Sequence, residues 1–90
     1  MFLTRVELHN ATYSDYETLH AAMRRNGFSQ KITSSDNVTY NLPTAEYYSS
    51  GNFTRSNVLE SAKLATATTG KSAGIIVAEA EGLVWSGLKQ

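Results

Sequence analysis

Tyr40-Asn41-Leu42-Pro43-Thr44-Ala45-Glu46-Tyr47 decides how the chain is read. Pro43 has no N–H to give to a ladder, so regular central pairing ends there. The stretch therefore closes a hairpin and hands the chain on to a second half. Upstream, Gln30–Thr33 and Val38–Leu42 read as the two hairpin strands, joined by the turn residues Ser34-Ser35-Asp36-Asn37. Tyr47–Asn52 reads as a loop, and Thr54 or Ser56 caps a helix that runs to about Thr69, with Val58, Leu59, Ala62 and Ala65 inward and Gly70 as its stop.

Outward from this centre, the N-terminal half is the better specified. Phe2–His9 alternates, with Phe2, Thr4, Val6 and Leu8 on one face and Leu3, Arg5, Glu7 and His9 on the other. Thr12 with Asp15, or Ser14 with Glu17, makes a capping box for a first helix. Tyr16, Leu19 and Met23 form its buried stripe, and Arg24 and Arg25 occupy its last turn. Gly27 is the left-handed stop and Phe28 packs back over it. At the other end, Gly74–Ala80 is strongly apolar and is expected inside the sheet. Glu81-Gly82 reverses the chain into a last strand, Leu83–Leu88, carrying Trp85. The order is strand, helix, hairpin, helix, strand. This is the split βαβ plan: an α+β, ferredoxin-like βαββαβ(β) two-layer sandwich in which two helices cover one face of an antiparallel sheet. The other face is left bare, and the site or the partner is expected there.

Ninety residues make one domain, which at this size buries roughly 60–65% of its unfolded surface. Eight basic and eight acidic residues cancel, which counts against tight non-specific binding of nucleic acid but leaves room for a local groove. The chain has no cysteine, hence no thiol nucleophile and no thiolate metal site. No apolar run approaches the ~20 residues that span a bilayer, and Met1 leads directly into a strand, so a cytoplasmic protein without a membrane partner is expected.

Motif-like strings carry little. Thr69-Gly70-Lys71-Ser72 resembles the end of a P-loop, but Ala65 stands where a glycine is required and the order is helix, loop, strand. No nucleotide cofactor is expected there. Asn10-Ala11-Thr12, Asn37-Val38-Thr39 and Asn52-Phe53-Thr54 fit a glycosylation pattern and read as turn and cap residues. His9 and His20 are the only side chains that titrate near neutrality, so they are the natural acid–base candidates. Arg5, Glu7 and His9 form one polar constellation on a central strand, which reads either as a catalytic trio or as a solvated sheet face. Two histidines without local acids give no metal site, and no cofactor is implied. Arg24 and Arg25 suit phosphate as a planar pair, or simply complement the helix dipole. Tyr40, Tyr47, Tyr48 and Phe53 gather aromatics around the hairpin exit, where rings can stack unpaired bases.

The first helix ending in Arg25-Asn26-Gly27-Phe28, the polar hairpin, the Tyr40–Tyr47 stretch, the second helix and the terminal strand pair resemble the GhoS-type family. Its members are small endoribonuclease antitoxins of type V toxin–antitoxin systems, related in fold to VapD and to the small CRISPR-adaptation nuclease subunits. The resemblance spans nearly the whole chain in element order and rests at residue level on Gly27-Phe28 and Leu42-Pro43. It implies a bacterial protein that cleaves a toxin's messenger RNA. The fold relatives often carry an aspartate at the end of the first strand; this chain has His9-Asn10. The expected route is therefore metal-independent, with His9, Arg5 and Glu7 catalytic and Arg24, Arg25, Tyr47 and Tyr48 binding RNA. The alternative is a non-catalytic interaction or regulatory module that uses the open sheet face. The apolar residues Leu83, Trp85 and Leu88 further suggest a homodimer through the C-terminal strand.

Overall fold

A computed structural model describes all 90 residues. Strand β1 (Phe2–Leu8) follows its alternation: Phe2, Thr4, Val6 and Leu8 are buried, Leu3 is half-buried, and Arg5 and Glu7 are exposed. β1 is the centre of a three-stranded antiparallel sheet in the order β4 (Glu46–Ser49), β1, β5 (Ala73–Glu79). Leu3 lies opposite Tyr48 and Ala78, Arg5 opposite Glu46 and Ile76, and Glu7 opposite Gly74. These residues make up the bare face.

Helices α1 (Tyr13–Arg25) and α2 (Arg55–Ala67) cover the other face. Leu19, Ala22 and Met23 from α1 and Val58, Ala62 and Ala65 from α2 close on Phe2, Val6, Leu8, Phe28 and Tyr47 as one core. Both helices begin in a capping box. The Thr12 hydroxyl accepts from the Asp15 N–H (3.2 Å) while the Thr12 N–H donates to the Asp15 carboxylate (2.9 Å); Thr54 and Asn57 repeat the arrangement. α1 ends as its sequence dictates. Gly27 takes φ +88°, the Phe28 N–H donates to Met23 O and the Gly27 N–H to Arg24 O, the paired bonds of a left-handed stop.

The result is α+β and compatible with a ferredoxin-like two-layer sandwich, but the fourth strand position is altered. β2 (Lys31–Thr33) and β3 (Thr39–Asn41) pair with each other as a separate two-stranded ribbon. A single bridge, Ser29 to Tyr48, ties the ribbon to the outer edge of β4, with main-chain bonds of 2.7 and 2.8 Å in the two directions.

Four sequence expectations are corrected. Tyr47–Asn52 is not all loop, because Glu46–Ser49 pairs with the central strand and Tyr47 is wholly buried. The apolar strand after α2 is an edge strand, not an interior one. Its Ile75 and Val77 pack on the core while Ile76 stays 70% exposed, so apolarity on both sides does not here mean burial on both sides. α2 stops at Ala67, since the hydroxyls of Thr68 and Thr69 donate back to Ala65 O and Thr66 O and compete with further helix. Finally, Leu83–Leu88 forms no strand. Ser86 and Gly87 (φ +78°) interrupt it, and the segment folds back on its own chain, with Leu83, Trp85 and Leu88 half-buried and Val84 fully exposed.

Candidate functional site

The bare face ends in a groove of about 660 Å³ between the β2–β3 ribbon and the C-terminal segment. Three features of the chain build it. Alternation along β4 sends Tyr47 into the core and Tyr48 out onto the bare face. Pairing of Ile32 with Tyr40 places those two side by side on the ribbon. The Asn41 N–H donates to Lys89 O (2.7 Å), which anchors the returning chain and brings the Trp85 ring edge-on to Tyr40 with centroids 5.6 Å apart. Ile32 is buried, yet it lies outside the main core and lines this groove with Tyr40, Tyr48 and Trp85. Lys31 supplies a cation, Ser29, Thr33 and Ser34 supply hydroxyls, and no carboxylate side chain borders the groove.

A second polar cluster occupies the opposite end of β1. His9 Nδ1 lies 3.0 Å from Ser72 Oγ, and the His9 N–H donates to Ser72 O (2.9 Å). With Nδ1 engaged, Nε2 is the free ring nitrogen. It passes over Gly74, where a Cβ would stand 4.0 Å away. Beside this pair the Lys71 ammonium sits 3.8 Å from the Asp15 carboxylate. The Thr12 backbone N–H holds Asp15 below the usual carboxylate range, helped by the Thr12 hydroxyl and the Lys71 charge. Lys71 thus serves the α1 cap, not a phosphate loop. Seven strand residues at about 3.4 Å each put the two ends of the face roughly 25 Å apart.

No known protein family, curated protein sequence or solved structure matches this chain.

The sequence-derived site residues therefore divide between two places. Arg5 and Glu7 are exposed in line with His9, as expected from the alternation. None of the three ion pairs in the molecule includes either of them. Tyr48 borders the groove, whereas Tyr47 is fully buried and offers no ring to an incoming base. Arg25 is exposed at the end of α1. Arg24 donates to the Gln30 side chain (3.1 Å), whose chain neighbours Ser29 and Lys31 line the groove. Phe53 is exposed near the start of α2, away from the groove. Nowhere do three histidine or acidic side chains converge at metal-binding spacing, and no helix is long and apolar enough to cross a membrane.

One network escaped the sequence. His20 Nδ1 lies 2.6 Å from the hydroxyl of buried Tyr47, and the Tyr16 hydroxyl accepts from the Leu8 N–H (3.0 Å) beside it. Tyr16 and His20 sit one helical turn apart, which is legible, but their partner comes from a strand 27 residues on. Burial pushes the Tyr47 phenol well above its ordinary range and the His20 imidazole below its own.

Above about pH 6.5, the ordinary histidine value, His20 is neutral whether folded or unfolded and its contribution is complete. As the pH falls below that, the unfolded chain takes up a proton that the folded chain resists, and stability declines. At the alkaline end, ionisation of Tyr47 in the unfolded chain lowers stability above about pH 10. Urea midpoints measured from pH 7.5 down to about pH 5.5 should fall for the wild type and stay flatter for His20→Asn. Parallel curves would assign the decline to other groups.

Proposed function

We propose that this protein binds single-stranded RNA on its bare sheet face, with unpaired bases stacked in the aromatic groove. The observation that carries this reading is the convergence of Tyr40, Tyr48 and Trp85 around Lys31 with no carboxylate side chain at the border. Every base has a π-face, so such rings hold single strands with little regard to sequence, while a duplex keeps its bases already stacked inside. The groove's size is that of a site for a small ligand. The likeness to GhoS-type antitoxins supports the same substrate and adds cleavage of a toxin's messenger RNA.

In that extended reading the RNA itself is the nucleophile. Its 2′-hydroxyl attacks the adjacent phosphorus, the 5′-oxygen leaves, and a cyclic phosphate remains. His9, through its free Nε2, takes the proton from the 2′-hydroxyl or returns one to the leaving oxygen. Arg5, on the same face, offsets charge developing on the phosphate, and Glu7 beside it is the remaining polar group. Arg24 serves the strand near the groove instead.

The rival reading is a non-catalytic interaction module. It is favoured by the cancelling charges of the chain and by Glu46 facing Arg5 across the strands, which deprives the middle of the face of a cationic track.

Fluorescence titration with an AU-rich oligoribonucleotide, single-stranded and as the matching duplex, tests the binding. Saturable binding that prefers the single strand is expected. Incubating the same strand with protein, with and without EDTA, tests cleavage. Cutting should persist in EDTA and disappear in His9→Ala at an unchanged melting temperature. Cleavage retained by His9→Ala removes His9 from the chemistry, and failure to bind any RNA moves the whole reading to the interaction module.

A further inference from the structure

The open edge of β5 is built to pair with itself, and we infer that the protein forms a two-fold dimer through this strand. The direction of its main-chain groups is fixed by the bonds at its two ends. Ala80 exchanges bonds with Met1, and Ser72 O accepts from the His9 N–H. The ladder between β1 and β5 therefore uses the even-numbered residues of β5, since bonded pairs alternate along an antiparallel ladder. Ala73, Ile75, Val77 and Glu79 turn their N–H and C=O groups the other way, to an edge on which no strand lies. Natural edges are protected by proline, lysine, bulges or shortness. Ala73-Gly74-Ile75-Ile76-Val77-Ala78-Glu79 has seven residues and none of those devices. The other sheet edge is already occupied, because both main-chain groups of Tyr48 are bonded to Ser29.

The occupant that fits is a second copy of the same strand, antiparallel, with the axis at Ile76. That register pairs Ile75 with Val77 and Ala73 with Glu79 in both directions, so all four outward-turned residues find partners. It sets Ile76 against Ile76 in a non-hydrogen-bonded pair, where side chains approach most closely, and covers a side chain now 70% exposed. Small residues flank that contact, Gly74 against Ala78, so nothing crowds it. Continued two residues past each end, the same register brings Lys71 opposite Glu81 of the second copy, twice by symmetry, and opposes no like charges. The two sheets then run on as one, with both bare faces on the same side.

Sedimentation of the wild type at high micromolar concentration should give twice the chain mass. Ile76→Lys places two ammonium groups at the axis and should return the protein to the chain mass with unchanged helical circular dichroism, because Ile76 packs on nothing in the monomer's core. The chain has no cysteine, so Ile76→Cys adds a unique thiol. Paired Cα atoms in this register lie within disulfide reach, and mild oxidation should convert that variant to a covalent dimer. This second variant decides the matter should Ile76→Lys lose its fold. A wild type of single-chain mass overturns the inference, whatever other protein it captures. So does a dimer that survives in folded Ile76→Lys, or an Ile76→Cys variant that does not cross-link.

Discussion

Replacing Leu19 with alanine is expected to remove about 2–5 kcal/mol of folding stability, the cost of losing a buried side chain and leaving a cavity behind. Leu19 is fully buried on α1, among core residues contributed by both helices and by β1 and β4. A chain of this length has only about 5–10 kcal/mol to lose, so the variant stands near the edge of folding at room temperature. Leu64 supplies the contrast. It lies on α2 but is 68% exposed, and Leu64→Ala should shift stability by no more than about 0.5 kcal/mol. Urea titrations followed by circular dichroism separate the two cases, with the midpoint moving and the slope unchanged for Leu19→Ala. Equal, small effects at both positions would mean that the buried stripe of α1 has been misassigned.

The elements that could be read from the sequence are those whose signals are local. β1 shows seven residues of clean alternation, and α1 carries its own capping box and its own glycine stop. β4 shows almost none of this. It is four residues long, its one buried side chain is a tyrosine with a polar end, and it begins just after the positive φ of Ala45 (+67°). What makes it a strand is the free side of β1, a partner about forty residues away. The same non-locality hid the functional geometry. An aromatic cluster near the hairpin exit was legible, but dividing Tyr47 from Tyr48 requires knowing that both lie on a strand. Trp85 looked like a residue of a paired strand because its neighbours are apolar. Only the fold shows that the segment is held by one main-chain bond and a ring contact with Tyr40. His20 stands out as a titratable residue beside the core, while the hydroxyl that engages it belongs to a stretch that reads as a loop.

Tyr48→Ala should weaken single-stranded RNA binding by about 1–3 kcal/mol, the usual worth of one base stacked on one ring, which is roughly five- to 150-fold. Tyr48→Phe should bind nearly as the wild type does, because the stacking surface remains when the hydroxyl is removed. Trp85→Ala should lose as much or more, since that ring also holds the returning chain against Tyr40 and its removal opens one wall of the groove. Lys31→Ala acts differently: it should lower affinity for every sequence alike and flatten the dependence of log affinity on log salt by about 0.7, the counterion released at one phosphate of a single strand. Tyr13 is 81% exposed and lies outside the groove, so Tyr13→Ala controls for a generally sticky aromatic surface. The comparison is decided by Tyr48, whose ring faces the groove without anchoring the tail. If Tyr48→Ala binds the single strand as tightly as Tyr13→Ala does, bases do not stack there, and the groove is a seam between the ribbon and the C-terminal segment.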